Sequence, residues 1–129
     1  ENAASFNPTV VEKNINQLKQ MGINFALDDY GTGYSNIKKV VSLPFDVVKL
    51  NKTFVDEVDN PENINIVKDT IHMLKSLGKE ILIEGIETPE RAELFKKYKI
   101  DKKNGCEYLQ GFYFSRPLPQ SEFVKFLTM

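Results

Sequence analysis

Four short apolar runs, at 24–28, 46–50, 79–84 and 107–111, are separated by amphipathic stretches and never by a hairpin turn signal. Each run is apolar in its middle, as strands buried on both faces are. Strand–helix alternation without hairpins predicts a parallel sheet. The runs begin about 28 residues apart on average, the spacing of βα units, and the units share no sequence repeat that would suggest a solenoid.

The helix boundaries are punctuated. Asn7-Pro8 offers a cap and a first-turn proline, Val11, Ile15 and Leu18 share a face, and Gly22 ends the pattern. Asn60-Pro61 repeats the device ahead of Ile64, Val67, Ile71 and Leu74, with Gly78 as the stop. Thr88-Pro89 opens a helix expected to bury Leu94, Phe95 and Tyr98. A shorter helix is predicted from Ser35, carrying Ile37, Val40 and Val41 and ending before Pro44. A last one, 121–128, is predicted to bury Phe123 or Val124 together with Leu127, and Phe114 is predicted in the core.

Four βα units fit an open doubly wound sheet or half of an eight-unit barrel, which takes about 250 residues when complete. No GxGxxG follows any strand, which argues against a dinucleotide-binding open sheet. The expected fold is therefore α/β: a parallel (β/α) half-barrel, the C-terminal four units of a TIM-type barrel, with residues 1–129 as one unit.

Composition removes several classes of function. Seventeen Lys and Arg face 18 Asp and Glu, so the chain carries a formal charge of −1. That balance gives no electrostatic basis for binding a nucleic-acid polymer. One cysteine, Cys106, can neither close an internal disulfide nor hold zinc alone. The longest apolar runs fall far short of the ~20 residues needed to cross a bilayer. Glu1 opens no basic-then-apolar leader, so the expected setting is the cytoplasm, with a membrane tether elsewhere in a longer parent left open.

The chemistry is expected at the C-terminal ends of the strands, the active face of parallel α/β folds. The first run ends in Asp28-Asp29, the second in Lys49 and Asn51, the third in Glu84 with Glu87 beyond, and the fourth in Gln110. Charge at the end of an apolar strand costs several kcal/mol to desolvate unless paired or metal-bound. Two adjacent carboxylates can each face a cation, as two-metal hydrolysis requires; the bland alternative is a solvated loop capping the next helix. Lys49 could hold a water or a phosphate oxygen, or simply close an interior salt bridge with an Asp. Glu84 could be a metal ligand, an acid/base group or an ion-pair partner, and Gln110 could bond a substrate or the backbone. His72 reads as a surface residue, Cys106 has no histidine at catalytic spacing, and the lysines at 96–103 read as a solvated helix end.

Four segments carry a family resemblance: ALDDYGTGYSNI (26–37), LPFDVVKLNKTFV (43–55), IEGIET (83–88) and LQGFYFSRPLP (109–119). In order and spacing the chain resembles the C-terminal half of an EAL domain, the cyclic-di-GMP-specific phosphodiesterase of bacterial signalling. The resemblance implies a (β/α) barrel that hydrolyses cyclic-di-GMP to linear pGpG with Mg²⁺ or Mn²⁺. It implies metal ligation by Asp28 and Asp29, water orientation by Lys49, a place for Glu84 around metals and water, and Gln110 nearby for substrate. Glu1 matches the glutamate that anchors the Asp-Asp loop. The Glu-Ala-Leu motif and the Asn and Glu ligands of the earlier strands are not in this sequence, and Asn51 stands where the family usually has Asp. Tyr30 for Phe and Arg116 for Lys are conservative departures. The expectation is a fragment inactive by itself that self-associates or dimerises through exposed barrel edges. The alternatives are a degenerate EAL module that binds cyclic-di-GMP or a protein partner without hydrolysis, and an unrelated metal-dependent barrel enzyme.

Overall fold

The structure, a computed structural model, describes residues 7–32, 36–99 and 105–129. Its helices and strands alternate: α1 (Pro8–Gln20), β1 (Ala26–Tyr30), α2 (Asn36–Ser42), β2 (Val47–Leu50), α3 (Lys52–Asp56), a 3₁₀ turn (Glu57–Asp59), α4 (Ile64–Ser76), β3 (Glu80–Ile83), α5 (Pro89–Lys99), β4 (Tyr108–Leu109) and α6 (Gln120–Leu127). The four strands form one parallel sheet in the order β1-β2-β3-β4, so each new strand adds to the growing edge. This is the partial βα barrel expected from the alternation.

Local chemistry accounts for the helix ends. The Asn7 side-chain carbonyl accepts the Thr9 N–H at 3.0 Å, with Pro8 in the first turn. At the other end of α1, Gly22 N–H reaches the Lys19 carbonyl and Ile23 N–H the Leu18 carbonyl, and Gly78 and Lys79 close α4 the same way on Lys75 and Leu74. Thr88 Oγ1 accepts the Arg91 N–H at 3.3 Å to open α5.

Side chains of Val48, Leu50, Ile81 and Ile83 point to one face of the sheet and are wholly buried against Val55, Leu74, Ala92 and Phe95. Each such burial contributes about 1.5–3 kcal/mol. The N-terminal strand ends are stitched by carboxylates. Asp46 accepts the Phe25 N–H at 2.9 Å and pairs with Lys19 at 2.5 Å, and Glu107 accepts the Ile81 N–H at 2.7 Å and pairs with Lys75. Burial works against the Asp46 charge, but Lys19, the Phe25 amide and Lys79 outweigh it and hold the carboxyl below its ordinary range. That end of the sheet is a clamp, which leaves the opposite end for chemistry.

Several sequence expectations need correction. The strands bury one face rather than two: Val47, Lys49 and Leu82 are half-buried and Glu80 is exposed on the face that would line a barrel. Asn60-Pro61 starts a turn, with Asn60 Oδ1 accepting the Glu62 N–H, and α4 begins only at Ile64. The strand bounds shift by one to two residues at most ends, and the region between β2 and α4 holds the unforeseen α3 and 3₁₀ turn. Leu18, Ile37 and Val41 are exposed although Ile15 and Val40 beside them are buried. Phe114 is 42% exposed, and Phe123, Val124 and Leu127 of α6 are all exposed. Phe95 is buried as expected and Leu94 only half-buried, whereas Ser35 and the Tyr98 side chain lie outside the described residues.

Candidate active site

In a regular strand successive side chains alternate between faces, so Asp28 and Asp29 should point apart. They do not, because β1 carries a bulge. Leu27 pairs with Val48 and Tyr30 with Leu50, so Asp28 and Asp29 together oppose the single residue Lys49. Asp29 takes up the extra residue with φ of 56°, a left-handed conformation that aspartate tolerates better than most residues. The bulge has two effects. Leu27 and Tyr30, three apart, both reach the core. Both carboxylates reach the rim of the sheet, where one oxygen each from Asp28, Asp29 and Glu84 lie within 4.8 Å of one another.

Lys49 sits among them. Its ammonium lies 2.8 Å from Asp28 Oδ1 and 2.6 Å from Glu84 Oε1, so the salt-bridge reading of this lysine is met, with Glu84 as a second partner. The hydrogen bond to Asp28, then that to Glu84, raises the Lys49 pKa above its ordinary value against a smaller opposing effect of burial. The same bond to Lys49 holds the Asp28 carboxyl below the usual carboxylate range, with partial burial opposing. Asp28 is exposed, Glu84 and Lys49 half-buried. The cluster is therefore a charged rim on a rigid sheet, open to a ligand.

The loops after β2 and β3 fix its far side. Asn51 caps α3, and its amide nitrogen donates to Asp29 Oδ1 at 2.7 Å. Lys52 pairs with Glu87 at 2.5 Å and Arg91 with Asp56, tying α3 to the start of α5. After Glu84 the chain turns through Gly85, at φ of 77°, where a Cβ would meet the Lys52 stem. Gln110 donates its N–H to the Ile83 carbonyl at 2.8 Å and accepts the Ile86 N–H at 3.1 Å, placing the fourth strand end beside the third. Gly111 packs so close to the Ile86 backbone that any side chain there would strike its carbonyl. Gln110 is exposed and lines a cavity of about 320 Å³ together with Phe112, Arg116, Phe123 and Phe126, with the Arg116 guanidinium over the Phe112 ring.

Asp28, Asp29, Lys49 and Glu84 thus converge as their strand-end positions predicted. Gln110 lies at the next strand end, and Glu1 lies outside the described residues. His72 is exposed and Cys106 buried. The tie between Asn51 and Asp29 and the ion pairs of Lys52 and Arg91 are not signalled by residue type or spacing; only the departure at 51 pointed there.

The EAL domain family model matches residues 1–117. The chain belongs to the EAL domain family. It is 31% identical over 118 residues to the cyclic di-GMP phosphodiesterase RocR of Pseudomonas aeruginosa, covering 90% of this chain and 28% of that protein. The EAL domain of Mycobacterium smegmatis DcpA superposes with a TM-score of 0.85 at 31% identity, over 99% of this chain and 55% of that one. The manganese and cyclic-di-GMP complex of Klebsiella pneumoniae BlrP1 superposes with a TM-score of 0.66 at 28% identity, over 81% of this chain and 26% of that one. This EAL chain therefore spans about half of the DcpA domain and under a third of RocR.

Proposed function

We propose that the chain is the C-terminal part of a cyclic-di-GMP phosphodiesterase, and that within a complete barrel it hydrolyses one phosphodiester bond of cyclic-di-GMP to linear pGpG. The observation that carries this is the bulge at Asp28-Asp29, which gathers three carboxylates around one lysine at the active rim. Three carboxylate oxygens are hard donors, suited to Mg²⁺ or Mn²⁺ rather than to a thiophilic metal. Asp28, Asp29 and Glu84 would hold such cations, which when bound supply an activated water and neutralise charge on the leaving oxygen.

The chain's own residues do the rest. An ammonium has three N–H donors, and Lys49 spends two on Asp28 and Glu84. The third is available to orient a water or a phosphoryl oxygen, on a side chain whose position both partners fix. Gln110, exposed at the adjoining strand end, offers an amide to the nucleotide. The remaining ligands would come from the strands that complete the barrel, so the chain alone is inactive. Its open sheet favours self-association until those strands are supplied. With that substrate the compartment is the bacterial cytoplasm, and among the described residues no helix is long and apolar enough to cross a membrane.

Asn51 supports a second reading, an EAL module that binds cyclic-di-GMP without cleaving it, because it presents an amide where a carboxylate would add to the cluster. Chromatography of cyclic-di-GMP incubated with Mg²⁺ or Mn²⁺ separates the two. A barrel completed with the parent's upstream strands is expected to yield pGpG, the 129-residue chain none, and Lys49→Met in the barrel at least about 100-fold less. Binding by calorimetry without any pGpG would favour the second reading.

A further inference from the structure

The Asn51 side chain is committed at both ends. Its Oδ1 accepts the Thr53 backbone N–H and the Thr53 hydroxyl, each at 2.8 Å. A backbone N–H can only donate, so the oxygen of the amide must face Thr53 and the nitrogen must face Asp29. That nitrogen donates to Asp29 Oδ1 at 2.7 Å. Asp29 is the residue that absorbs the bulge in a left-handed backbone, so this bond holds the one strained carboxylate of the cluster.

The bond also has an electrostatic meaning. Asp28 and Glu84 share the Lys49 ammonium, while Asn51 gives Asp29 a neutral donor on the far side of the cluster. Lysine and amide together give each of the three carboxylates a donor with no cation present. An aspartate at 51 would cap α3 as well as asparagine does, because both accept from the first-turn N–H groups. It could not donate to Asp29, and would set a second carboxylate oxygen at hydrogen-bonding distance from the first.

We propose that Asn51 is a positioning residue that holds Asp29 in the metal-free site and lowers the cation affinity of that side of the cluster. The proposal rests on the reading of Asp28, Asp29 and Glu84 as metal ligands. Its test compares the chain with Asn51→Asp and with the reversed pair Asp29→Asn/Asn51→Asp, by thermal melting in EDTA and by Mn²⁺ titration followed by electron paramagnetic resonance. In EDTA the single variant is expected to melt at least about 3 °C lower, with the cap intact, and the reversed pair to recover the loss. With Mn²⁺ the single variant is expected to bind about tenfold tighter than the parent chain. Equal melting of Asn51→Asp and the parent in EDTA, or no recovery in the reversed pair, overturns the positioning role. Mn²⁺ bound equally by both overturns the effect on affinity while leaving the metal reading standing. No Mn²⁺ binding by any of the three overturns that effect and the metal reading together.

Discussion

Lys49 ties two strand ends together through its ion pairs with Asp28 and Glu84. Its pKa is raised and that of Asp28 lowered, so the pair contributes at neutral pH and fades at both extremes. The Asp28 part is present above the ordinary carboxylate pKa of about 4 and is lost as pH falls through its depressed value. The Lys49 part is present below the ordinary lysine pKa of about 10.4 and is lost as pH rises through its raised value. Because Asp28 is two-thirds exposed, its pair with Lys49 contributes only about 0.2–1 kcal/mol. Lys49→Met should therefore lower the urea midpoint at pH 7, and the gap from the parent should narrow toward pH 3.5; a gap constant across that range would contradict the pairing. Much of this site was legible as charge at the ends of apolar runs. The route by which Asp28 and Asp29 face the same way was not, since neither glycine nor an Asp-Gly step marks the bulge. Asp29 itself adopts the left-handed backbone, and only the pairing with β2 reveals it.

At the scale of elements, the start of α1 and the stops of α1 and α4 followed from local chemistry, because the Asn7 cap, Gly22 and Gly78 act within a few residues of themselves. Burial did not, because it depends on what packs opposite. Phe123 or Val124 together with Leu127 of α6 was expected inside, yet all three are between 49% and 66% exposed. The same holds for the barrel-lining face of the strands. Sheet edges at β1 and β4 and this apolar helix together make a surface that favours pairing with another chain. Light scattering on the purified chain should give a mass of at least two copies at about 100 μM; a monodisperse monomer at that concentration would contradict it. α3 escaped the sequence reading for a related reason, being a five-residue turn of helix without an amphipathic repeat long enough to register.

For the whole molecule, the near-zero net charge means that ligand attraction is local to the rim. The sheet divides its labour between its two ends. Asp46 and Glu107 tie the N-terminal strand ends together, while Asp28, Asp29, Lys49 and Glu84 gather at the other. The account stands on that second gathering acting as a divalent-cation site. Mn²⁺ added in small steps to isotope-labelled chain, with amide resonances followed by NMR, tests it most directly. Paramagnetic broadening should strike residues 28–32, 49–51 and 84–87 first and spare α1 and α6. Broadening spread over exposed acidic residues such as Glu12, Glu62 and Glu122, with the rim no more affected than they are, would contradict it.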